Sequence, residues 1–200
     1  MSKRPGSNKE NLEETRRIFL DIAVDEFCEY GFAQASTSRI VEQSGMARGS
    51  LYYHFGDKSG LFHGVYQDIM DRSIVGVSER MDIHKDPWTA FLEGASAFLD
   101  LCMKKKFRKI ILIEAQGAMT YEQRLAVQKQ TLLAKLQALL PDLFERGYFP
   151  GHTAETFSVF IYGILGETGR ALDFSEDIER DREIFWQAFK TSMESMRSSA

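Results

Sequence analysis

Apolar residues recur three and four positions apart along most of this 200-residue chain, and no stretch shows the strict alternation of a half-buried strand. A chain patterned in this way buries its apolar side by packing helix on helix, so the expected fold class is all-α. Capping residues, glycines and prolines divide the pattern into about nine helices. Residues 1–11 are polar, contain Pro5, Gly6 and Ser7, and read as a disordered tail. Helix one is expected over 12–30, with Ile18, Ile22, Ala23 and Phe27 on its apolar face and Gly31 as its stop. Ser36 is placed to cap a helix over 36–43, and a short helix over 48–55 follows Gly45. Helix four covers 59–81. Asp86 and Pro87 open helix five, which ends near Lys104. Helices over 107–119, 121–146, 153–172 and 178–196 complete the chain, with Pro141 expected to kink or shorten the second of these.

The segment 36–55, STSRIVEQSGMARGSLYYHF, is the most informative. A capped helix, a glycine turn and a second short helix make a helix-turn-helix. Ile40, Val41, Met46, Leu51 and Phe55 are the apolar positions that lock the two helices together. The residues left outside are small, hydrogen-bonding or cationic, which suits entry into a major groove roughly 12 Å wide. Ser36, Thr37 and Ser38 put hydroxyls at a helix N-terminus, where free N–H groups and the positive dipole end favour phosphate. Arg48 can reach a guanine edge or a phosphate, and Gly49 lets backbone approach the bases. Tyr52 and Tyr53 carry rigid rings with hydroxyl tips, while His54 and Lys58 are candidate phosphate contacts.

The net charge is −4, which alone argues mildly against a nucleic-acid partner, but such binding needs only a local basic patch. Arg39, Arg48 and Lys58 outnumber Glu42 and Asp57 across the helix-turn-helix, and acid gathers instead near Glu176, Asp177, Glu179, Asp181 and Glu183. No signal-type apolar segment opens the sequence and no stretch is long enough to span a bilayer, so a cytoplasmic location without membrane association is expected. The two cysteines, Cys28 and Cys102, lie far apart and outside any metal-ligand spacing; neither a disulfide framework nor a zinc site is expected. The four histidines stand in unrelated contexts and no nucleophile, zincin or phosphate-loop motif occurs. No enzymatic activity, metal or cofactor is therefore expected.

The stretch from about Thr15 to Tyr66 resembles the DNA-binding module of the TetR family of transcriptional regulators. The matching residues are Thr15-Arg16-Arg17-Ile18, Ala23, Phe27, Gly31-Phe32, Ile40, Gly45, Gly49, Leu51-Tyr52-Tyr53-His54-Phe55, Lys58 and Leu61-Phe62. Two positions depart from that pattern. Ala47 stands where the family has a hydroxyl residue that caps the recognition helix, and Arg39 stands at an often acidic position. Arg39 either adds charge beside DNA or pairs with Glu42 or Glu29.

The resemblance implies an N-terminal three-helix helix-turn-helix DNA-binding domain over 12–72 and a helical ligand-binding and dimerisation domain over 73–200. It further implies a homodimer that binds a palindromic operator, most commonly as a repressor, and releases it when a small apolar or aromatic effector binds. The implied DNA-contacting set is Ser36, Thr37, Ser38, Arg39, Ala47, Arg48, Gly49, Ser50, Tyr52, Tyr53, His54 and Lys58. Pairing of the last two helices would use Phe157, Ile161, Gly163, Gly166, Arg170, Phe185, Phe189 and Met193. The effector cavity would draw on Phe98, Cys102, Glu114, Gln116, Met119, Phe160, Tyr162 and Glu167. Gly163, Gly166 and Gly169 are expected to permit close helix approach. The basic run 104–109 reads as a solvated turn or as a second nucleic-acid patch, and Cys102 as an inert thiol or an oxidation sensor. A helical ligand-binding protein without DNA binding, and a transcriptional activator, remain alternatives.

Overall fold

The computed structural model describes residues 6–197, and among them there are helices, turns and loops but no strand. The helices are α1 (Gly6–Gln34), α2 (Thr37–Ser44), α3 (Arg48–Phe55), α4 (Lys58–Asp82) and α5 (Pro87–Met103). Next comes α6 over 105–118, whose central part, Arg108–Glu114, winds as a π-helix. Helices α7 (Tyr121–Gln128), α8 (Leu132–Glu145), α9 (Ala154–Ala171) and α10 (Ile178–Met196) follow. No helix of the described residues is long and apolar enough to cross a membrane.

Local chemistry explains the boundaries. Ser36, Asp57, Asp86, Thr153 and Asp177 each accept a hydrogen bond from a backbone N–H in the first turn of the helix they open. Thr120 and Gln123 cap α7 reciprocally. Gly45 adopts φ 63°, the left-handed geometry that the tight turn between α2 and α3 requires. Helix α1 starts at Gly6, so residues 6–11 are helical rather than part of a tail, because extending an established helix by one residue is cheap once the first turn exists. Residues 1–5 of the expected tail, and 198–200, lie outside the described residues. Gly31 does break α1, at φ 69° and ψ 166°, and a single turn follows it.

Two further expectations are corrected. The long helix expected over 121–146 is two helices, divided at Lys129–Thr131 and not at Pro141. Thr131 leaves helical geometry and its hydroxyl bonds back to the Val127 carbonyl at 2.9 Å. Pro141 stays inside α8 on an exposed face, where water can reach the carbonyl whose partner proline removes. On α1 the buried stripe is Phe19, Ala23 and Phe27, with Ile18 and Ile22 on its half-buried flank.

Helices α1 to α3 and the start of α4 form the head. Phe27 meets Phe62 edge-on at 5.0 Å, and Ile40 and Leu51 are fully buried where α2 and α3 join this core. Helix α4 continues unbroken into the body, so the expected boundary near residue 72 falls inside one helix. In the body Trp88, Phe91, Phe149, Phe157 and Phe189 pack as a chain of aromatic contacts, closest between Phe149 and Phe157 at 4.4 Å. Helix α9 lies tight against α5 and α6 at Gly169, where a Cβ would stand 2.5 Å from the Cys102 sulfur and from Leu112.

The start of α3 is left bare. Ala47 precedes α3 in an extended conformation with no side chain to cap it. Ala47→Ser should supply the missing acceptor, stabilise the head by about 1 kcal/mol and raise Tm by roughly 2–4 °C in a calorimetric scan. An unchanged or lower Tm would show that another group already satisfies that helix end.

Candidate functional site

The first candidate surface is built by α2 and α3. Burial of Ile40 and Leu51 forces the opposite face of both helices outward. Arg48, Gly49, Tyr52 and Tyr53 are exposed, Tyr53 by 75%. The Arg48 guanidinium donates to the Tyr52 hydroxyl at 3.2 Å and lies over its ring. Hydrogen bonds from Arg48, and then from Thr37, hold the Tyr52 phenol pKa below its usual value. Thr37, Arg48 and Tyr52 thus form one polar cluster across the two helices. Among the described residues Arg48 has no carboxylate partner. Ser38 is exposed and Ser50 half-buried on the same two helices.

Other expected contacts have structural work to do. Arg39 pairs with the buried Glu26, its Nε donating at 3.0 Å, and its guanidinium covers the Tyr30 ring at 4.2 Å. The partner is therefore neither Glu42 nor Glu29, and the charge is largely spent within the head. Glu26 also accepts from the Ser36 N–H at 2.7 Å, fixing the entrance to α2. The Lys58 ammonium donates to the carbonyls of Ala33 and Ala35 at 3.1 and 3.3 Å, which draws it toward the α1–α2 link. Partial burial, then the nearby Arg16, holds the His54 pKa below its usual value. That direction favours the neutral imidazole, which can offer phosphate a hydrogen bond. Ala47 carries no polar group.

The second candidate region lies in the body. A cleft of about 250 Å³ runs between α6, α7, α9 and the start of α8, lined by Ile111, Leu112, Gln116, Tyr121, Arg124, Leu125, Gln128, Leu133, Val159, Tyr162, Gly163, Gly166 and Arg170. A smaller pocket of about 50 Å³ lies between α4, α5, α8 and α9 and is walled by aliphatic and aromatic side chains, Phe98 among them. Tyr162 belongs to both walls. Its hydroxyl is buried with no hydrogen-bond partner, and that burial pushes the phenol pKa well up.

Of the residues expected around a cavity, Phe98, Gln116 and Tyr162 are brought together there. The others are not. Cys102 is sealed behind Gly169, and burial drives its thiol pKa far up, which suits an inert thiol and not a sensor. Glu114 points to the head, where it accepts the Phe32 N–H at 2.7 Å. Met119 is buried beside the start of α4, outside both cavities. Phe160 and Glu167 sit on the outer face of α9, 47% exposed for Phe160. Arg124 was missed because it looks like an ordinary surface cation in sequence, and Arg170 was expected at the pairing surface instead of in the cleft. Arg124 donates to the carbonyls of Ala115 and Met119 at the end of α6.

The expected pairing surface also needs correction. Phe157, Ile161, Phe189 and Met193 are buried inside one chain, and Phe185 is half-buried, because the body consumes those faces of α9 and α10. The apolar side chains left outside are Val159, Phe160, Phe174 and Ile184. Gly163 and Gly166 meet no close neighbour and form cleft wall, with Arg170 beside them. The basic run 104–109 is not simply solvated. Arg108 is buried and donates to Asp173 at 2.9 Å and to the Cys102 carbonyl at 2.7 Å, and Lys106 pairs with Asp25. Among the described residues no cluster of His, Cys, Asp or Glu is placed to hold a metal.

Comparison with known proteins fits this geometry. The HTH-type transcriptional regulator AcrR of Shigella flexneri is 28% identical over 107 residues, covering 52% of this chain and 49% of that protein. The HTH-type transcriptional repressor AcnR of Corynebacterium glutamicum is 36% identical over 73 residues, 36% of this chain and 35% of that protein. The matches thus span half or less of these curated relatives. A TetR-family regulator from Pectobacterium atrosepticum superposes with a TM-score of 0.78 at 24% identity, covering 95% of this chain and 97% of that one. The regulator FadR from Bacillus subtilis, solved in complex with stearoyl-CoA, superposes at 0.74 with 19% identity, covering 86% and 95%. These two likenesses show the shared fold. The family model for bacterial regulatory proteins of the tetR family matches residues 19–65, and the model for the tetracyclin repressor-like C-terminal domain matches residues 88–196. Head and body are both accounted for by these matches, and the chain belongs to the TetR family.

Proposed function

We propose that this chain is a ligand-responsive transcriptional repressor that binds a palindromic operator as a homodimer. The observation that carries the reading is the outward cluster of Thr37, Arg48, Gly49, Tyr52 and Tyr53 on a rigid two-helix unit, with an arginine free of any carboxylate. Arg48 and Tyr53 read or grip the groove, and the α2 N-terminus with Thr37 and Ser38 grips phosphate. The repressor role of AcnR supports the sign of regulation.

The homodimer forms across the exposed strip of α9 and α10, with Val159, Phe160 and Ile184 at its apolar centre. A two-fold axis there sets two heads on successive major-groove faces, roughly 34–36 Å apart. The cleft receives the effector, a reading supported by the ligand-bound FadR neighbour. Helix α6 ties cleft to head: Ile111, Leu112 and Gln116 line the cleft, while Glu114 on the same helix holds Phe32 at the α1–α2 link. A ligand that shifts α6 therefore repositions the head and favours the arrangement with lower operator affinity.

Fluorescence polarisation with the palindrome upstream of the chain's own gene should show binding that weakens steeply with salt. Arg48→Ala and Tyr53→Ala should each weaken it by about 5- to 150-fold without lowering Tm. Full-strength binding by both variants, or none by the parent chain at low salt, would overturn the DNA-reading assignment. In sedimentation equilibrium the parent should be a dimer, and Phe160→Asp with Ile184→Asp a folded monomer with weakened operator binding. A dimer that survives both changes places the interface elsewhere.

A further inference from the structure

From the charge and shape of the body cavities we infer that the effector is an amphiphile with an anionic head and an apolar tail, rather than a neutral apolar or aromatic molecule. This rests on the reading of the cleft as the effector site.

Three observations converge. The cleft lining contains two guanidinium groups, Arg124 and Arg170, and no carboxylate. Arg124 has backbone carbonyls as partners, and among the described residues it forms no salt bridge, although Glu122 lies near enough to feel its charge. Arg170 is held at 2.8 Å by Glu167, whose side chain is 73% exposed and stands outside the cleft. Two arginines in the lining of a half-enclosed cavity, with no carboxylate in that lining, favour an anion there. The smaller pocket, in contrast, offers Val77, Met81, Phe91, Phe98, Leu136 and Leu165 with no charged side chain. Its lining favours an apolar tail over a head group, and its small volume admits such a tail only as the surrounding side chains part.

Tyr162 stands where the two spaces meet, and its buried hydroxyl has no partner. An unsatisfied buried phenol costs the stability its hydroxyl loses on leaving water. The hydroxyl is closed to solvent, so a head-group oxygen reaches it only as the neighbouring side chains part, and that contact then removes the cost. Val159 and Gly163 form rim as well as outer face of α9, and in the proposed dimer the partner protomer roofs the bound head.

Carboxylate and phosphate heads share this chemistry, and the test separates them. Titration calorimetry on the full-length dimer would compare decanoate, decyl phosphate and decanol, with hexanoate as the short-chain control. At least one decyl anion should bind ten or more times tighter than decanol. Binding should strengthen by up to about fourfold per methylene from hexanoate to decanoate, and the bound anion should release operator in the polarisation assay. The tighter of the two anions identifies the head. Arg170→Met should erase most of the preference over decanol. Tyr162→Phe, which keeps the packing, should weaken the anion several-fold. Decanol binding as tightly as both anions, or anion binding indifferent to Arg170→Met and Tyr162→Phe, overturns the inference. Intact operator binding with no response to any of these probes overturns this inference alone; loss of operator binding in their absence overturns the regulator reading beneath it.

Discussion

The joint between head and body turns on one carboxylate. Glu114 reaches from the end of the π-helical stretch of α6 to accept the Phe32 N–H, at the point where Gly31 has already broken α1. The oxygens lie so close that a Cβ on Gly31 would stand 3.0 Å from one of them. Backbone geometry, side-chain charge and absence of a side chain therefore meet in a single place. The head takes its direction from that contact and from the unbroken run of α4 beneath it. A π-helical segment holds its residues by i→i+5 bonds and is a common way to turn one side chain away from the face it would otherwise join. Here it leaves Ile110, Ile111 and Leu112 buried in the body while Glu114 faces the head.

A second ionic contact does for the reading unit what Glu114 does for the joint. Glu26 is almost wholly buried on α1, yet it is satisfied twice, by the Ser36 N–H and by Arg39. Removing one partner of such a pair strands a charge in a poor solvent, which is why the entrance to α2 is held firmly. The family resemblance marks position 39 as unusual, and the structure accounts for it: the arginine faces inward to Glu26 and outward to the ring of Tyr30. The surface offered to DNA is correspondingly narrower than a list of polar residues implies. Arg48 and the two tyrosines remain free, while Lys58 and Arg39 hold the scaffold that presents them.

Local signals were legible in the sequence because their causes are local. Helices α3 and α10 begin and end where periodicity, caps and glycines place them, and Ser36, Asp86 and Gly45 act as their chemistry requires. The outward face of the helix-turn-helix could be read by subtraction once Ile40 and Leu51 were assigned to the core. The cavity could not be read in this way. Whether Glu114, Gln116 or Glu167 faces a ligand depends on how α6 and α9 rotate as they dock, and that rotation is set by contacts between residues distant in sequence. The same is true of pairing. Phe157, Ile161, Phe189 and Met193 have the right spacing for a partner helix, but spacing cannot say whether that partner belongs to the same chain. The division of 121–146 was hidden for the opposite reason: an exposed proline advertises a break that water makes unnecessary, while Thr131 makes a real one with an inconspicuous side chain.

Three glycines of α9 look interchangeable on paper, yet they perform unlike tasks. Gly163 and Gly166 keep space open, whereas Gly169 surrenders it to the Cys102 sulfur and the Leu112 methyl. Positions 102, 112 and 169 consequently share one fixed volume, and growth at any of them must be matched by shrinkage at another. Among natural variants of this chain a larger residue at 169 should arrive only in company, with a smaller one at 102 or 112, so that the three drift as a linked set while the two neighbouring glycines follow the size of whatever molecule the cleft must admit.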